Sequence, residues 1–181
     1  CQVDRRDGRS LSLEQFALEY AAARRPVILT HLADAWPAAT LWRPDRLAAP
    51  GALGDAKVLR SRTATVRDRL AAALAPGADP DRENLWDPRF FDENPAWSAH
   101  FEVERFFRDD MYDHAAPHAM DWRWLLLGPA GSGTRWHRDP YNISAWNAVV
   151  ATIMASLRKT LGRGRKGAQG GLLRVDWSEH C

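Results

Sequence analysis

The first regularity along the chain is an apolar repeat with helical spacing near its start. Ser12 and Gln15 have the spacing of a capping box, in which each side chain accepts the other residue's backbone N–H. The pattern predicts an amphipathic helix over 12–24, which ends before Pro26 because the residue preceding a proline is pushed out of helical geometry. Its apolar positions are Leu13, Phe16, Ala17 and Tyr20.

A strand and a second helix are predicted in the first half of the chain. The run 27–30, VILT, is apolar and rich in β-branched residues, which is typical of a short buried strand. A turn-rich stretch with Trp36 and Trp42 follows it. The segment 65–75, TVRDRLAAALA, predicts a helix that Pro76-Gly77 closes.

The middle of the chain predicts loops and short extended segments. Residues 76–98 are rich in Pro, Asp and Asn and predict a loop, and 101–112 predict a short helix or turn. The apolar run 122–127 has the length of a strand and ends in a glycine-rich turn, after which 134–150 return to extended character. The predicted aromatic anchors of the loop are Trp86, Phe90, Phe91 and Trp97.

Composition places the chain among globular proteins of one domain. It has 181 residues, of which 45% are hydrophobic and 27% are charged. No apolar run approaches the ~20 residues that span a bilayer, and no secretory signal is expected from the first residues given. The two cysteines, Cys1 and Cys181, form no cluster of the kind that a disulfide framework or a cysteine zinc site needs. A reducing, intracellular compartment is therefore predicted.

Charge and texture change after Val150. Residues 1–150 have 19 basic and 21 acidic side chains, whereas 151–181 have 6 and 2. The last segment is also rich in Gly and Arg and poor in aromatic residues, which predicts a divergent, disordered basic tail. Nucleic-acid binding would need that charge to be gathered on one face, and nucleic acid is not an expected partner.

The segment with the most candidate chemistry is 122–150, WRWLLLGPAGSGTRWHRDPYNISAWNAVV. One interpretation of its strand and glycine-rich turn is a loop that cradles phosphate. Such a loop requires a Lys directly after its last glycine, then Ser or Thr for magnesium, and then a helix. Thr134 and Arg135 stand there instead, and the residues after them make a poor helix start. The phosphate loop is therefore the weaker interpretation.

His137 and Asp139 suggest a second interpretation, a metal site. In an extended strand, residues two apart point to the same face, so this imidazole and this carboxylate can chelate one ion while Arg138 faces away. Two histidines and one carboxylate form the facial triad that binds ferrous iron and leaves positions open for a co-substrate and oxygen. The short pattern also occurs by chance in surface turns such as the one that Pro140 favours.

The order of several motifs resembles the iron-binding core of the Jumonji-C (JmjC) oxygenases, in the branch with the phosphatidylserine-receptor-like hydroxylases and the F-box JmjC proteins. The earlier segments RRPVILTHLADAWPA and FFRDD are similar to the family's lead-in, so the resemblance covers about residues 3 to 150. The matching elements are Gly128-Pro129, Ser132-Gly133-Thr134, His137-x-Asp139-Pro140 and Ser144-Ala145-Trp146-Asn147.

The resemblance implies a role for each matching residue. His137 and Asp139 correspond to the first two iron ligands, Thr134 to a hydroxyl that contacts 2-oxoglutarate, and Asn147 to an amide that helps seat it. Trp146 is expected to pack in the barrel wall. The implied cofactors are Fe(II), the co-substrate 2-oxoglutarate and O2, and the metal centre performs the difficult oxidative step.

Two residues of the family pattern are missing from their expected places. The family has a lysine a few positions after the Asn, which pairs with the distal carboxylate of 2-oxoglutarate. Counted without gaps, Met154 stands there, and the nearest lysine is Lys159. The family also completes its triad with a late histidine, and the sole histidine after His137 is His180. These departures predict a truncated or mis-spliced form whose two protein ligands hold iron weakly.

The remaining histidines are expected to play no part at the metal. His114 and His118 lie four residues apart, but Pro117 between them favours a loop over the helix face that would stack them. His31 and His100 are isolated and are expected to face solvent or to cap a helix. The nine tryptophans are expected to anchor the core and the loops.

Together these patterns predict an α+β fold in three parts. Residues 1–121 form an N-terminal cover, 122–150 begin a double-stranded β-helix (a cupin-type jelly roll) with the iron-binding motif, and 151–181 are the basic tail. The resemblance implies an oxygenase that hydroxylates or N-demethylates a protein side chain, with Lys or Arg suspected. It acts in the nucleus or cytoplasm, with the nucleus favoured. The alternative is a non-catalytic fragment that acts at most as a protein-binding module.

Overall fold

The computed structural model describes residues 3–59, 63–108, 123–133 and 144–150, together with the backbone of 172–176. The chain contains both short helices and short strands, which confirms the mixed fold class. The elements are β1 Asp4–Asp7, α1 Leu13–Phe16, β2 Val27–Thr30, α2 Pro37–Leu41, α3 Pro44–Ala48, α4 Val66–Leu74, β3 Leu85–Asp87, α5 Phe90–Glu93, β4 Leu125–Leu127, β5 Ala145–Val149 and β6 Leu172–Asp176. The remaining helices are the π-helix Ala17–Ala21 and the 3-10 helices Ala33–Ala35, Pro95–His100 and Arg105–Phe107.

The first helix begins with the predicted capping box. The Ser12 hydroxyl accepts the Gln15 backbone N–H at 3.0 Å, and the Gln15 side chain accepts the Ser12 N–H at 3.1 Å. The helix then widens into the π-helix, where the Ala22 N–H donates to the Ala17 carbonyl. Arg24, with a φ of 50°, ends the helical segment before Pro26.

The buried face of this helix differs from the predicted one. Phe16 and Tyr20 are buried, as expected, but Leu13 is 52% exposed and Ala17 is exposed. Leu11, which precedes the capping box, is buried instead. The apolar stripe derived from an ideal helix is therefore wrong at Leu13 and Ala17. The π turn, which begins at Ala17, changes the angular position of the side chains within it, whereas Leu13 precedes that turn.

Four strands form the larger sheet in the order β1-β2-β6-β5. β1 pairs with β2 in parallel, and the other two pairings are antiparallel. β2 coincides with the predicted strand at 27–30. β6 lies within 151–181, the segment for which a disordered tail is predicted, and its backbone pairs with both β2 and β5. The boundaries of the three predicted parts stay a prediction.

The smaller sheet is the antiparallel pair β3 and β4. The predicted strand at 122–127 is thus shorter than expected and begins at Leu125. Within the described residues the strands form these two sheets and no closed barrel, so the jelly roll stays a prediction. No helix among the described residues has the length and apolarity to cross a membrane.

Two predicted irregular stretches contain short helices. α2 and α3 both begin with a proline at the first helical turn, where its missing N–H is no loss. Residues 76–98, which are predicted to form a loop, contain β3 and α5, so that prediction is wrong in part. Its aromatic anchors are buried as predicted at Phe90, Phe91 and Trp97, and Trp86 is half-buried. The helix predicted at 65–75 is confirmed as α4.

Buried side chains gather into two core clusters. The first lies between α1 and β2, and the second lies between α4 and α5. The buried members of the first core cluster are Leu11, Phe16, Tyr20, Val27, Leu29, Ala33, Trp36 and Ala38. The buried members of the second core cluster are Leu47, Ala56, Val58, Val66, Leu70, Leu85, Phe90, Phe91 and Trp97.

Trp42 and Phe101 pack against both core clusters and join them. Their rings lie 6.1 Å apart between centroids in an edge-on arrangement. Phe101 contacts Trp36 of the first core cluster at 6.0 Å and Phe91 of the second at 5.2 Å, while Trp42 contacts Trp97 at 5.1 Å. We call Trp42 and Phe101 the aromatic seam. Aromatic pairs at these separations add to the stabilisation that area burial alone provides.

His100 joins the aromatic seam through a hydrogen bond. The Trp42 indole N–H donates to His100 Nδ1 at 3.0 Å. His100, predicted to face solvent or to cap a helix, is therefore half-buried and accepts a side-chain hydrogen bond. Burial lowers the pKa of the His100 imidazole below its usual value. The His31 Nδ1 atom lies 2.9 Å from the Asp34 Oδ2 atom.

Trp97→Ala should lower the free energy of unfolding more than the substitution of an exposed residue does. The Trp97 ring meets Phe90 edge-on at 4.8 Å and is 3% exposed, so Trp97→Ala leaves a cavity. We expect a loss of about 3–5 kcal/mol in the free energy of unfolding, measured by urea denaturation. Leu18→Ala is the control, because Leu18 is 66% exposed, and it should change stability by at most about 0.5 kcal/mol. Equal losses in the two variants would contradict this packing.

Acid should weaken the fold through His100. Because its folded pKa lies below the unfolded value of 6.5, its contribution to stability is present above that value and is lost as the pH falls through the folded pKa. In His100→Gln the amide oxygen can still accept the Trp42 N–H, but it does not titrate. The melting temperature of the wild type should fall further between about pH 7.5 and about pH 5 than that of the variant. Parallel falls would show that His100 does not contribute.

Candidate functional site

β4 is held in place from one side by the second core cluster. Leu125 and Leu127 of β4 pack against that cluster and pair with Asp87 and Leu85 of β3. Asp87 is 1% exposed, and its carboxylate accepts backbone N–H groups from Leu59 at 2.6 Å and from Arg89 at 3.0 Å. These bonds satisfy a carboxylate that would otherwise be costly to bury. The strand pair β3–β4, which precedes the candidate site, is therefore fixed on the face that packs against the second core cluster.

A tight turn follows β4, as the sequence predicts. The Ser132 N–H donates to the Pro129 carbonyl at 3.0 Å, and Gly131 has a φ of 88°, which favours glycine. A Cβ at Gly128 would lie 2.8 Å from the Asn84 side-chain oxygen, so a larger residue there would have to displace a neighbouring side chain. The turn sets the direction in which the chain leaves β4 toward residue 134.

β5, at the other end of the candidate segment, packs on the first core cluster. Trp146, Ala148 and Val150 lie against that cluster, and the Trp146 ring stacks on Phe107 at 5.4 Å with an interplanar angle of 7°. Side chains alternate along a strand, so Asn147 lies on the opposite face, and its side chain is exposed. The structure thus directs the predicted co-substrate amide away from the core.

The structure describes one of the four predicted site residues. Asn147 lies in β5, in register with Arg174 of β6. Thr134, His137 and Asp139 lie outside the described residues, so their roles stay predictions. Among the residues that are described, no three His, Cys, Asp or Glu side chains gather to hold a metal ion.

The structure nonetheless shows how the strands before and after residues 134–143 are anchored. β4, before residue 134, packs on the second core cluster, and β5, after residue 143, packs on the first. The aromatic seam joins these clusters. The relative placement of the two ends therefore depends on the aromatic seam, which contains none of the predicted ligands.

Sequence reasoning missed the residues that hold the lead-in to the site. Arg105 donates to the carbonyls of Gly8 at 3.0 Å and Leu11 at 2.6 Å. The Trp36 indole N–H donates to Glu104 at 3.2 Å, and burial, the larger effect, raises the pKa of that carboxyl. Each partner is about 70 to 100 residues away in the chain. No local pattern indicates such pairs.

The histidines set aside as ligands fall into two groups. His31 and His100 are engaged by Asp34 and Trp42, at a distance in sequence from the candidate segment. His114, His118 and His180 lie outside the described residues, and the prediction that they bind no metal is not tested by the structure.

Known proteins similar to this chain share most of its length. No family model matches the sequence. An arginine-specific demethylase of Arabidopsis thaliana, JMJ22, is 32% identical over 143 residues, which cover 78% of this chain and 28% of that protein. A lysine-specific demethylase of the same plant, JMJ21, is 30% identical over 152 residues, 82% of this chain and 16% of that protein.

A third relative has two activities in its name. The bifunctional arginine demethylase and lysyl-hydroxylase psr-1 of Caenorhabditis elegans is 29% identical over 163 residues, which cover 82% of this chain and 39% of that protein. The chain therefore spans between about one sixth and two fifths of the curated relatives it matches. Because JMJ22 is 32% identical over 78% of this chain, the chain belongs to the JmjC family.

Proposed function

We propose that this chain forms part of an Fe(II)- and 2-oxoglutarate-dependent oxygenase, with His137 and Asp139 as metal ligands and with Thr134 and Asn147 on the co-substrate. The single observation that supports it most is the orientation of β5. Trp146 packs on the first core cluster while the Asn147 side chain stays exposed on the other face. An amide in that position is available to a ligand.

The donor set suits the proposed metal. An imidazole nitrogen and a carboxylate oxygen are ligands that ferrous iron takes in facial-triad sites, where the remaining positions stay open. Two protein ligands bind a metal more weakly than three. The proposal therefore includes a low metal affinity for this chain, whose two proposed ligands are His137 and Asp139.

When bound, Fe(II) and 2-oxoglutarate would supply the activation of O2 for oxidising a C–H bond of the substrate. The chain's own residues would bind and orient. His137 and Asp139 would fix the metal, the Thr134 hydroxyl would donate to the co-substrate, and the Asn147 amide would donate to it from β5. The buried packing beneath β5 would keep that amide in one orientation.

The proposed substrate is a protein side chain of Arg or Lys. The support is that JMJ22 is named for arginine, JMJ21 for lysine and psr-1 for both residues. Hydroxylation and N-demethylation share one oxidation, because a hydroxylated N-methyl group loses formaldehyde to leave the free amine. Action in the nucleus, or else in the cytoplasm, remains part of the proposal.

A second candidate function is a non-catalytic protein-binding module. The observation that favours it is Met154, which stands where the family has a co-substrate lysine when the chain is counted without gaps. A thioether cannot pair with a carboxylate as an ammonium does. Such a module would bind its partner without consuming 2-oxoglutarate.

Removing either proposed ligand should weaken metal binding strongly. His137→Ala and Asp139→Ala each delete one of two ligands, so the Kd for Mn(II), a stand-in for Fe(II), should rise at least about tenfold in calorimetry. His114→Ala is the matched control and should leave the Kd unchanged. The same preparations, given Fe(II), 2-oxoglutarate and Arg- and Lys-containing peptides, should form succinate only when both ligands are present.

The outcomes separate the two candidate functions. Succinate formation that His137→Ala removes and His114→Ala spares would support the oxygenase. Metal binding without succinate above a control that lacks enzyme would favour the binding module. Metal binding that survives both His137→Ala and Asp139→Ala would show that the proposed ligands are wrong.

Asn147→Ala should weaken the co-substrate without affecting the metal. Loss of a hydrogen bond to a charged carboxylate should raise the Kd for 2-oxoglutarate about tenfold or more, measured on Mn(II)-loaded protein, whereas the Kd for Mn(II) should stay the same. Val149→Ala is the control, because Val149 lies on the same exposed face of β5 two residues further on. If both variants bind 2-oxoglutarate as the wild type does, Asn147 has no role in binding it.

A further inference from the structure

Among the residues that the structure describes, the Phe107–Trp146 pair is the aromatic contact between the N-terminal part of the chain and β5. The two rings are nearly parallel, at 7°, with centroids 5.4 Å apart. This separation is that of an offset stack, in which one ring plane constrains the other. Within the described residues, β5 pairs with one strand, β6. The face with Trp146 therefore contributes much of what holds β5.

Phe107 is itself held by residues far away in sequence. Its ring meets Phe16 edge-on at 5.8 Å and 85°, and Phe16 is a buried member of the first core cluster. Two residues earlier, the Arg105 guanidinium donates to the carbonyls of Gly8 and Leu11. The stacking plane that Trp146 meets is thus fixed by the first core cluster and by a polar tether.

The alternation of β5 connects this plane to Asn147. Trp146 and Asn147 are adjacent and point to opposite faces of the strand. If the indole plane tilts, the backbone between the two residues rotates with it, and the amide on the other face changes direction. A small displacement of a binding group can weaken binding strongly.

We propose that Phe107 is a positioning residue for Asn147: its stack on Trp146 fixes the roll of β5 and thereby the direction of the amide. The part that concerns 2-oxoglutarate rests on the proposed function, whereas the part that concerns β5 stands on the stacking geometry alone.

Phe106 offers a matched control. Its ring also packs on Phe16, at 5.0 Å, and it belongs to the same 3-10 helix and is half-buried like Phe107. The Arg105 guanidinium covers its face at 4.8 Å, whereas Phe107 alone of the two stacks on Trp146. A merely structural role predicts equal effects of the two phenylalanines, and a positioning role predicts unequal ones.

The test compares Phe107→Leu, Phe106→Leu and Phe107→Tyr in the full chain. Leucine keeps an apolar side chain but removes the ring plane, and tyrosine restores the plane. Amide hydrogen exchange of β5 is measured without metal, and the Kd for 2-oxoglutarate is measured with Mn(II). We expect Phe107→Leu to speed exchange in β5 and to raise that Kd about two- to tenfold, the range set by one aromatic pair. Phe106→Leu and Phe107→Tyr should resemble the wild type in both.

Each result decides the proposal. Unchanged β5 exchange in Phe107→Leu, or equal changes in Phe107→Leu and Phe106→Leu, would overturn it. Faster β5 exchange confined to Phe107→Leu, with no 2-oxoglutarate binding even by the wild type, would support the positioning of β5 by Phe107 and remove the proposed function instead. Confined exchange together with a weaker Kd would support both.

Discussion

The packing of Trp42 and Phe101 is the interaction on which the rest of the structure depends. Without it, the two core clusters would be separate small assemblies, and domains with little apolar area to bury are marginally stable. Both side chains contact both clusters, so the free energy of burying one cluster is coupled to that of the other. The hydrogen bond from Trp42 to His100 adds direction to this contact, because an indole N–H buried without a partner would be costly.

The same coupling governs the candidate site. β4 rests on the second core cluster through Leu125 and Leu127, and β5 rests on the first through Trp146. The residues proposed as metal ligands lie between these strands in the chain. A substitution at the aromatic seam would therefore move the two ends of the segment relative to each other, far from any ligand. In this chain, where the proposed metal ligands are few, rigid flanking strands would offset part of the entropy that ordering the metal site costs.

Polar side chains with distant partners complete the scaffold. Asp87 ties β3 to the loop at Leu59, and Arg105 ties the 3-10 helix before the site to the first turn of the chain. Neither is a candidate ligand. Their value lies in satisfying backbone groups that would otherwise be buried without a hydrogen bond, since the loss of one such partner costs more than the bond itself contributes. The candidate site is thus supported by residues that make no proposed contact with metal or co-substrate.

The sequence by itself determined the elements whose causes are local. The capping box at Ser12, the strand at Val27–Thr30 and the helix Val66–Leu74 follow from neighbours a few residues apart, and the structure confirms them. The relatives confirm the family that the motifs indicate. Only the tertiary structure decided that Leu13 is exposed. The same holds for the helices in the predicted turns and loop, for His100 as an acceptor for Trp42, and for Phe107 beneath Trp146. Those outcomes depend on contacts between residues far apart in the chain, and neither spacing nor propensity records which distant side chains will share a core.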